Sequence, residues 1–279
     1  MITLFTARSR RRWLYPLISL LLAVGLCLGQ PTVTHAISWI DLIRRGIQVI
    51  QLSSLSDQQE VRLGQQINDE LIGKQVRLYR GDRQLIRYVD EIGQRLAAAS
   101  TRPSLPYQFQ IVDDNAINAF ATMGGFVYIH TGLLKAADNE AQLASVVAHE
   151  IGHIAARHSV KQMRQLALAG GVATAAGLDR NLAVSIGVDL ALRRPNSRAA
   201  EFEADQLGLT MMGRSSYAQS AMPAFMRKLI QARSLPTFLS THPATADRIE
   251  RMEQLIDPNL ADGDGLDNAA YRARVRSVS

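Results

Sequence analysis

The run His149-Glu150-Ile151-Gly152-His153 sets two imidazoles four residues apart with a carboxylate between them. Residues four apart share one face of a helix, so both rings can aim a nitrogen at a common ion about 2.0–2.1 Å away. Glu150 turns to a flank, where it can take a proton from water activated by that ion instead of binding the ion. The chemistry this predicts is zinc-dependent hydrolysis of peptide bonds.

The same five residues also arise by chance on amphipathic helices, so further ligands are required. A third histidine six residues past the second, after a glycine, is excluded because Ala156 and Ser159 hold those places. His158 follows five residues after His153 and, on a continuous helical wheel, faces away from His149, which predicts a core histidine. The better source is Glu201-Phe202-Glu203-Ala204-Asp205, a helical stretch beginning after Pro195. Glu201 and Asp205 share a face beside Ala204, Gly208 and Met212, whereas Glu203 lies about 200° from Glu201 and reads as a surface or secondary carboxylate. Two carboxylates at the margin of an apolar stripe need a cation. Glu201 is therefore predicted as the third ligand, and Asp205 as the acceptor that fixes a ligand imidazole through its other N–H. A surface charge cluster with Arg198 is the alternative. A third element, Thr241-His242-Pro243-Ala244-Thr245-Ala246-Asp247-Arg248, enters extended at Pro243 and continues as a helix capped near Thr245. It brings His242 and Arg248 within reach of the same cleft, although a histidine before proline, taken alone, is usually a loop residue.

These groups need elements to hold them. Asn139 offers an N-cap for a helix from Glu140 to about Gln165, apolar over much of its circumference through Ala141, Leu143, Val146, Val147, Ile151 and Ile154. Tyr107 to Val112 and Gly125 to His130 read as strands. Between them, Asn118, Ala119 and Phe120 are predicted to form an exposed edge that pairs with an extended substrate, and Gly124 and Gly125 to permit close approach of another backbone. An ordinary edge strand is the alternative. Ser56 and Gln59 form a capping box for a helix to about Ile72, and Leu85, Val89, Ile92 and Leu96 mark another. Leu166 to Leu178, rich in alanine and glycine, reads as a mobile connection, and Tyr217 to Arg233 as a helix with Pro223 in its first turn. Asp262-Gly263-Asp264-Gly265 offers too few ligands for a calcium loop, so residues 257–279 read as a flexible tail.

Arg8, Arg10, Arg11 and Arg12 precede an apolar run from Trp13 to Leu28 and a small-residue site at Thr34-His35-Ala36, which predicts a signal peptide over residues 1–36 and an exported, periplasmic protein. An uncleaved anchor is the alternative. Ser9 to Leu14 also resembles a twin-arginine export signal. Loss of those four arginines lowers the net charge from +6 to +2, so the basic balance reflects export and gives no reason to expect nucleic acid. The one cysteine, Cys27, lies inside that signal, so no disulfide is expected. Residues 37–55 form an amphipathic segment with Trp39, Ile40, Ile43, Ile47 and Ile50 on related faces, which either docks on the domain or lies peripherally on a membrane surface.

HEIGH at His149 to His153, EFEAD at Glu201 to Asp205 and HPATADR at His242 to Arg248, in this order, together with Asn118 to Gly132, resemble the zinc metalloendopeptidases that include the type I CAAX prenyl peptidases, the HtpX peptidases and periplasmic quality-control peptidases. The resemblance runs from about Ser56 to Leu255, with Met123 where the family often has proline. It implies an α+β, mainly helical, zincin-like metallopeptidase domain over residues 56–256 with a small sheet edge beside the active-site helix. It implies one Zn2+ bound by His149, His153 and Glu201, Glu150 as the base, and His242 and Arg248 acting on the substrate side of the metal. His242 has two readings: an oxyanion partner, or a fourth ligand that closes the site until substrate arrives. The expected substrates are unfolded or misassembled envelope proteins. Competing classes are a zinc-binding chaperone-like adaptor, disfavoured by Glu150, and a membrane-anchored processing peptidase with one dedicated substrate.

Overall fold

Ser56 opens the first helix among the described residues, α1 (Asp57–Lys74), through the reciprocal cap its sequence predicts: its hydroxyl accepts from the Gln59 N–H while the Gln59 side chain accepts from the Ser56 N–H. Asp82 caps α2 (Arg83–Ala98), whose Leu85, Val89, Ile92 and Leu96 form one buried face. The computed structural model describes residues 49–50, 52, 54–170, 178–193, 195–232, 236–243 and 245–278. The predicted signal over 1–36 and most of the amphipathic segment over 37–55 lie outside the described residues. Among the described residues no helix is long and apolar enough to cross a membrane.

Two short strands, β1 (Val49–Ile50) and β5 (Leu178–Asp179), pair antiparallel. The main sheet has the order β2-β4-β3, with β2 (Gln108–Val112) parallel to β4 (Phe126–His130) and β3 (Ala119–Ala121) antiparallel to it. All five residues of β4 are buried, as a central strand covered on both faces requires. Val127 and Ile129 join the core that contains Leu143, Val147 and Ile151, and Phe126 and Tyr128 join a second cluster with Leu63, Ile67 and Leu71 of α1.

Helix α3 (Thr131–Ala136) leads into α4 (Glu140–Ala155), where Asn139 accepts from the Gln142 N–H. Every residue of α4 from Ala141 to Ile154 is buried, so this is a core helix. It does not run on to Gln165 as expected. It stops at Ala155, Arg157 takes a left-handed conformation (φ 57°), and a separate helix α5 (His158–Ala169) begins. A left-handed non-glycine residue costs about 1–2 kcal/mol. Tertiary contacts offset that cost, because Arg157 Nε lies 3.0 Å from the buried Glu60 carboxylate and its guanidinium donates to the Leu55 carbonyl.

Helix α6 (Arg180–Arg193) packs on α1 and α5, and α7 (Arg198–Arg214), capped by Ser197, crosses α4 closely. Gly152 permits that crossing: a Cβ there would lie 2.8 Å from the Ala204 carbonyl oxygen. Then come α8 (Ala221–Ile230), with Pro223 in its first turn, α9 (Phe238–Thr241) and α10 (Ala246–Leu255), capped by Thr245. The stretch expected to be a mobile connection is helical up to Ala169 and ends in β5; residues 171–177 lie outside the described residues.

The flexible tail expected over 257–279 is instead packed structure. Its helix α11 (Asn268–Val275) buries Tyr271 and Val275, Tyr271 donates to the Leu134 carbonyl, and the Gly265 carbonyl accepts from the Ala141 N–H at the start of α4. Its composition hid this, because only Tyr271, Val275 and Val278 of a largely polar segment reach the core, and backbone pairing holds the rest.

Candidate metal centre

Helices α4 and α7 and the end of α9 meet at four buried side chains. His149, His153, Glu201 and His242 each offer one ligand-type atom, all within 4.8 Å of one another. His149 Nε2 lies 3.0 Å from His153 Nε2, 3.2 Å from His242 Nδ1 and 3.4 Å from Glu201 Oε2. Glu201 Oε1 lies 3.4 Å from His153 Nε2 and 3.2 Å from His242 Nδ1. A tetrahedral ion with bonds of 2.0–2.1 Å needs ligand atoms about 3.3–3.4 Å apart, so this nitrogen-and-oxygen set fits a zinc-sized divalent cation.

Electrostatics agree with the geometry. Burial alone would raise the Glu201 carboxyl, but His242, His149 and His153 override it and hold it well below the usual carboxylate range. Burial opposes a charge on His149 too, yet Asp205 and Glu201 beside it push its pKa up to about 9. Two carboxylates turned on one imidazole concentrate negative potential that a cation satisfies. His153 behaves differently, and burial pushes it down to about 3. Asp205 Oδ1 is 3.0 Å from His149 Nδ1, on the side of the ring facing away from the cage. The structure thus brings together His149, His153, Glu201, Asp205 and His242 from three separated stretches of sequence.

Glu150 stands beside the cage. Burial pushes its carboxyl up, His242 and His149 pull it down, and its Oε1 is buried 3.3 Å from His242 Nε2 without a hydrogen bond. A buried carboxylate with an unused oxygen and a raised pKa is suited to hold a proton transiently.

The model of Peptidase family M48 matches residues 83–256, from α2 to the end of α10. The chain belongs to peptidase family M48. With that membership it joins the metallopeptidases. It is 34% identical over 218 residues to the beta-barrel assembly-enhancing protease of Escherichia coli (strain K12), covering 71% of this chain and 44% of that protein. It is 34% identical over 216 residues to the putative beta-barrel assembly-enhancing protease of Vibrio cholerae, covering 68% and 43%. The mitochondrial metalloendopeptidase OMA1 of Schizosaccharomyces pombe is 29% identical over 176 residues, covering 61% and 52%. The chain spans less than half the length of the two bacterial relatives.

Three expectations for this M48 domain are corrected by its structure. Arg248 does not face substrate. It is buried, both ends of its fork bind Asp205 at 2.7 Å, and Nη1 reaches Glu201 Oε2 at 2.7 Å and the Pro243 carbonyl at 2.9 Å. With these donors engaged it positions the cage and cannot also bind an oxyanion. Gly124 and Gly125 do not face substrate either. Both have positive φ (80° and 106°) and are buried, with the protein's own backbone at Val61, Glu60 and Pro106 where a Cβ would be.

The edge strand is the third. It runs over Ala119–Ala121, not 118–120, and Ala119 and Phe120 are buried rather than exposed. The Asn118 carbonyl accepts from the His130 N–H and the Thr122 N–H donates to the Phe126 carbonyl, so even positions bond to β4. Ala119 and Ala121 therefore turn their N–H and C=O groups away from the sheet, and the Ala121 N–H faces Glu150.

Sequence reasoning missed two features. His158 does not face away from the site: its Nδ1 lies 2.8 Å from His153 Nδ1. Buried Glu60 pairs with Arg102 and accepts from the Gly124 N–H at 3.3 Å, while Arg102 also donates to the Ile154 carbonyl at the end of α4. No periodicity signals either one, because His158 is turned by the break at Arg157 and Glu60 meets Arg102 only through tertiary packing.

Proposed function

We propose that this chain is a zinc metalloendopeptidase, exported to the periplasm or an equivalent compartment, that cleaves unfolded or misassembled envelope proteins. The observation that carries the reading is the buried cage of His149, His153, Glu201 and His242 with the unused Glu150 oxygen beside it. Zinc held by His149, His153 and Glu201 would polarise the scissile carbonyl and lower the pKa of a water towards about 7. Glu150 would take a proton from the water as it adds to the scissile carbonyl and return it to the amine nitrogen as the C–N bond breaks. Asp205 holds His149 in the tautomer that presents Nε2 to the ion, and Arg248 holds Asp205 and Glu201. The carbonyl of the partly exposed Ala121, turned away from β4, pairs with an extended substrate, which gives affinity without demanding a sequence. The names of the bacterial relatives support substrates from the assembly of envelope proteins.

Of the two readings for His242, its position favours the plug. Nδ1 lies among the ligand atoms at 3.2 Å, and the ring is buried against Phe238 at 4.6 Å between centroids. A catalytic zinc needs an open coordination position, so His242 must leave before peptide enters.

Metal content and casein hydrolysis test the reading together. Purified protein should hold one zinc per chain, and Glu201→Ala should lose it. Glu150→Gln should keep the zinc and lose hydrolysis by about 10²–10⁴-fold. Zinc retained at full stoichiometry in Glu201→Ala would overturn the proposed ligand set. Partners captured by Glu150→Gln in the envelope fraction would identify the substrates.

A further inference from the structure

His149 and His153 sit on one helix and aim their Nε2 atoms at one point, yet the groups behind them differ. Behind His149 is a buried carboxylate, Asp205, locked by a buried arginine. Behind His153 is another imidazole. His153 Nδ1 lies 2.8 Å from His158 Nδ1, and His158 Nε2 lies 3.0 Å from Glu203 Oε2. His158 is buried, while the Glu203 side chain is half exposed and has Lys161 Nζ at 3.8 Å.

If His153 presents the Nε2 lone pair to the ion, its ring proton is on Nδ1. That proton points at His158 Nδ1, which must then be the acceptor. His158 consequently carries its own proton on Nε2, and that N–H points at Glu203. Each proton along the chain is placed by the one before it, and the last donor meets an anion. We propose that His158 and Glu203 are positioning residues for the metal: a two-membered relay from α5 and α7 that fixes the tautomer and ring angle of His153. This rests on the metal-centre reading above.

The relay exists only because the chain turns back at Arg157. On an unbroken helix His158 faces away from the site. The left-handed Arg157, tied to Glu60 and to the Leu55 carbonyl, starts α5 so that its first residue folds behind His153. Glu203 then serves the site although it lies far round the α7 wheel from Glu201, because it reaches His158 rather than the ion.

Zinc affinity measured by competition with a chromogenic chelator tests this, with the melting temperature of the metal-free protein as control. His158→Phe should weaken zinc binding by about ten- to a hundredfold, the usual effect of removing a partner behind a ligand imidazole. His158→Gln, whose side-chain oxygen can accept from His153 Nδ1–H, should recover most of the loss. Glu203→Gln should weaken zinc less than His158→Phe does, since water screens a half-exposed charge, and should leave the metal-free melting temperature unchanged. The double variant His158→Phe/Glu203→Gln should bind zinc no more weakly than His158→Phe, because Glu203 acts only through His158. Zinc affinity of His158→Phe within twofold of the parent overturns the relay, as does a Glu203→Gln loss that is nil or persists at full size in the His158→Phe background. A parent protein that binds no zinc would instead overturn the metal-centre reading.

Discussion

Three of the four cage residues stand on long helices that cross at Gly152, and the fourth stands at the end of a four-residue helix. His149, His153 and Glu201 are held by α4 and α7, which contribute a buried interface, and by Arg248 of α10, which pairs with Asp205 of α7. The backbone of His242 is held by its N–H bond to the Phe238 carbonyl and by Arg248 binding the His242 and Pro243 carbonyls, and its ring by the stack on Phe238 and the contacts to His149 and Glu201. On the proposed reading, the long helices form the lasting part of the metal site, and the short element is a cover that must leave before peptide enters.

Arg248 touches both regions, so its removal breaks the comparison most severely. Arg248→Met leaves Asp205 and Glu201 buried without their cation and should lower the unfolding free energy by about 3–5 kcal/mol, measured by urea denaturation. A loss below about 1 kcal/mol would mean that the crossing helices alone hold the carboxylates in place. Gly152→Ala should cost about 1–3 kcal/mol and reduce zinc stoichiometry, because the new methyl group meets the Ala204 backbone carbonyl, which cannot rotate aside. Unchanged stability there would contradict so close a crossing.

On the cover, the expected effects fall on rate more than on stability. His242→Ala should raise basal casein hydrolysis at unchanged zinc content; a fall would restore the oxyanion role and remove the plug. Phe238→Leu keeps most of the buried volume and loses the stack, worth about 0.5–1.5 kcal/mol. The open fraction, and with it basal hydrolysis, should rise about two- to tenfold. Equal rates for parent and variant would show that the stack does not hold the cover shut.

The helix starts at Ser56, Asn139 and Thr245 were legible because a cap is a local contest between a side chain and a few orphan N–H groups. The proximity of Glu201 and Asp205 to the imidazoles was legible because buried charge demands a partner wherever the chain folds. The break at Arg157 was not, since Ala156-Arg157 is good helical sequence and the turn is imposed by Glu60 some hundred residues earlier. The role expected of Arg248 failed for a related reason. Reach is visible in a sequence, but whether a guanidinium ends up facing a substrate or a carboxylate depends on which groups the fold leaves beside it.

By itself the sequence determined the candidate groups and part of their helical frame: which side chains can bind a divalent cation, which carboxylate can carry a proton, and where several helices begin. Only the tertiary structure decided how those groups are supported, with His158 turned behind His153, Arg248 turned inward, the end of the chain packed on α4, and His242 seated among the ligands. The division follows from range. Ligand type and caps depend on chemistry within four or five residues, whereas orientation and access depend on contacts between elements that the chain keeps far apart.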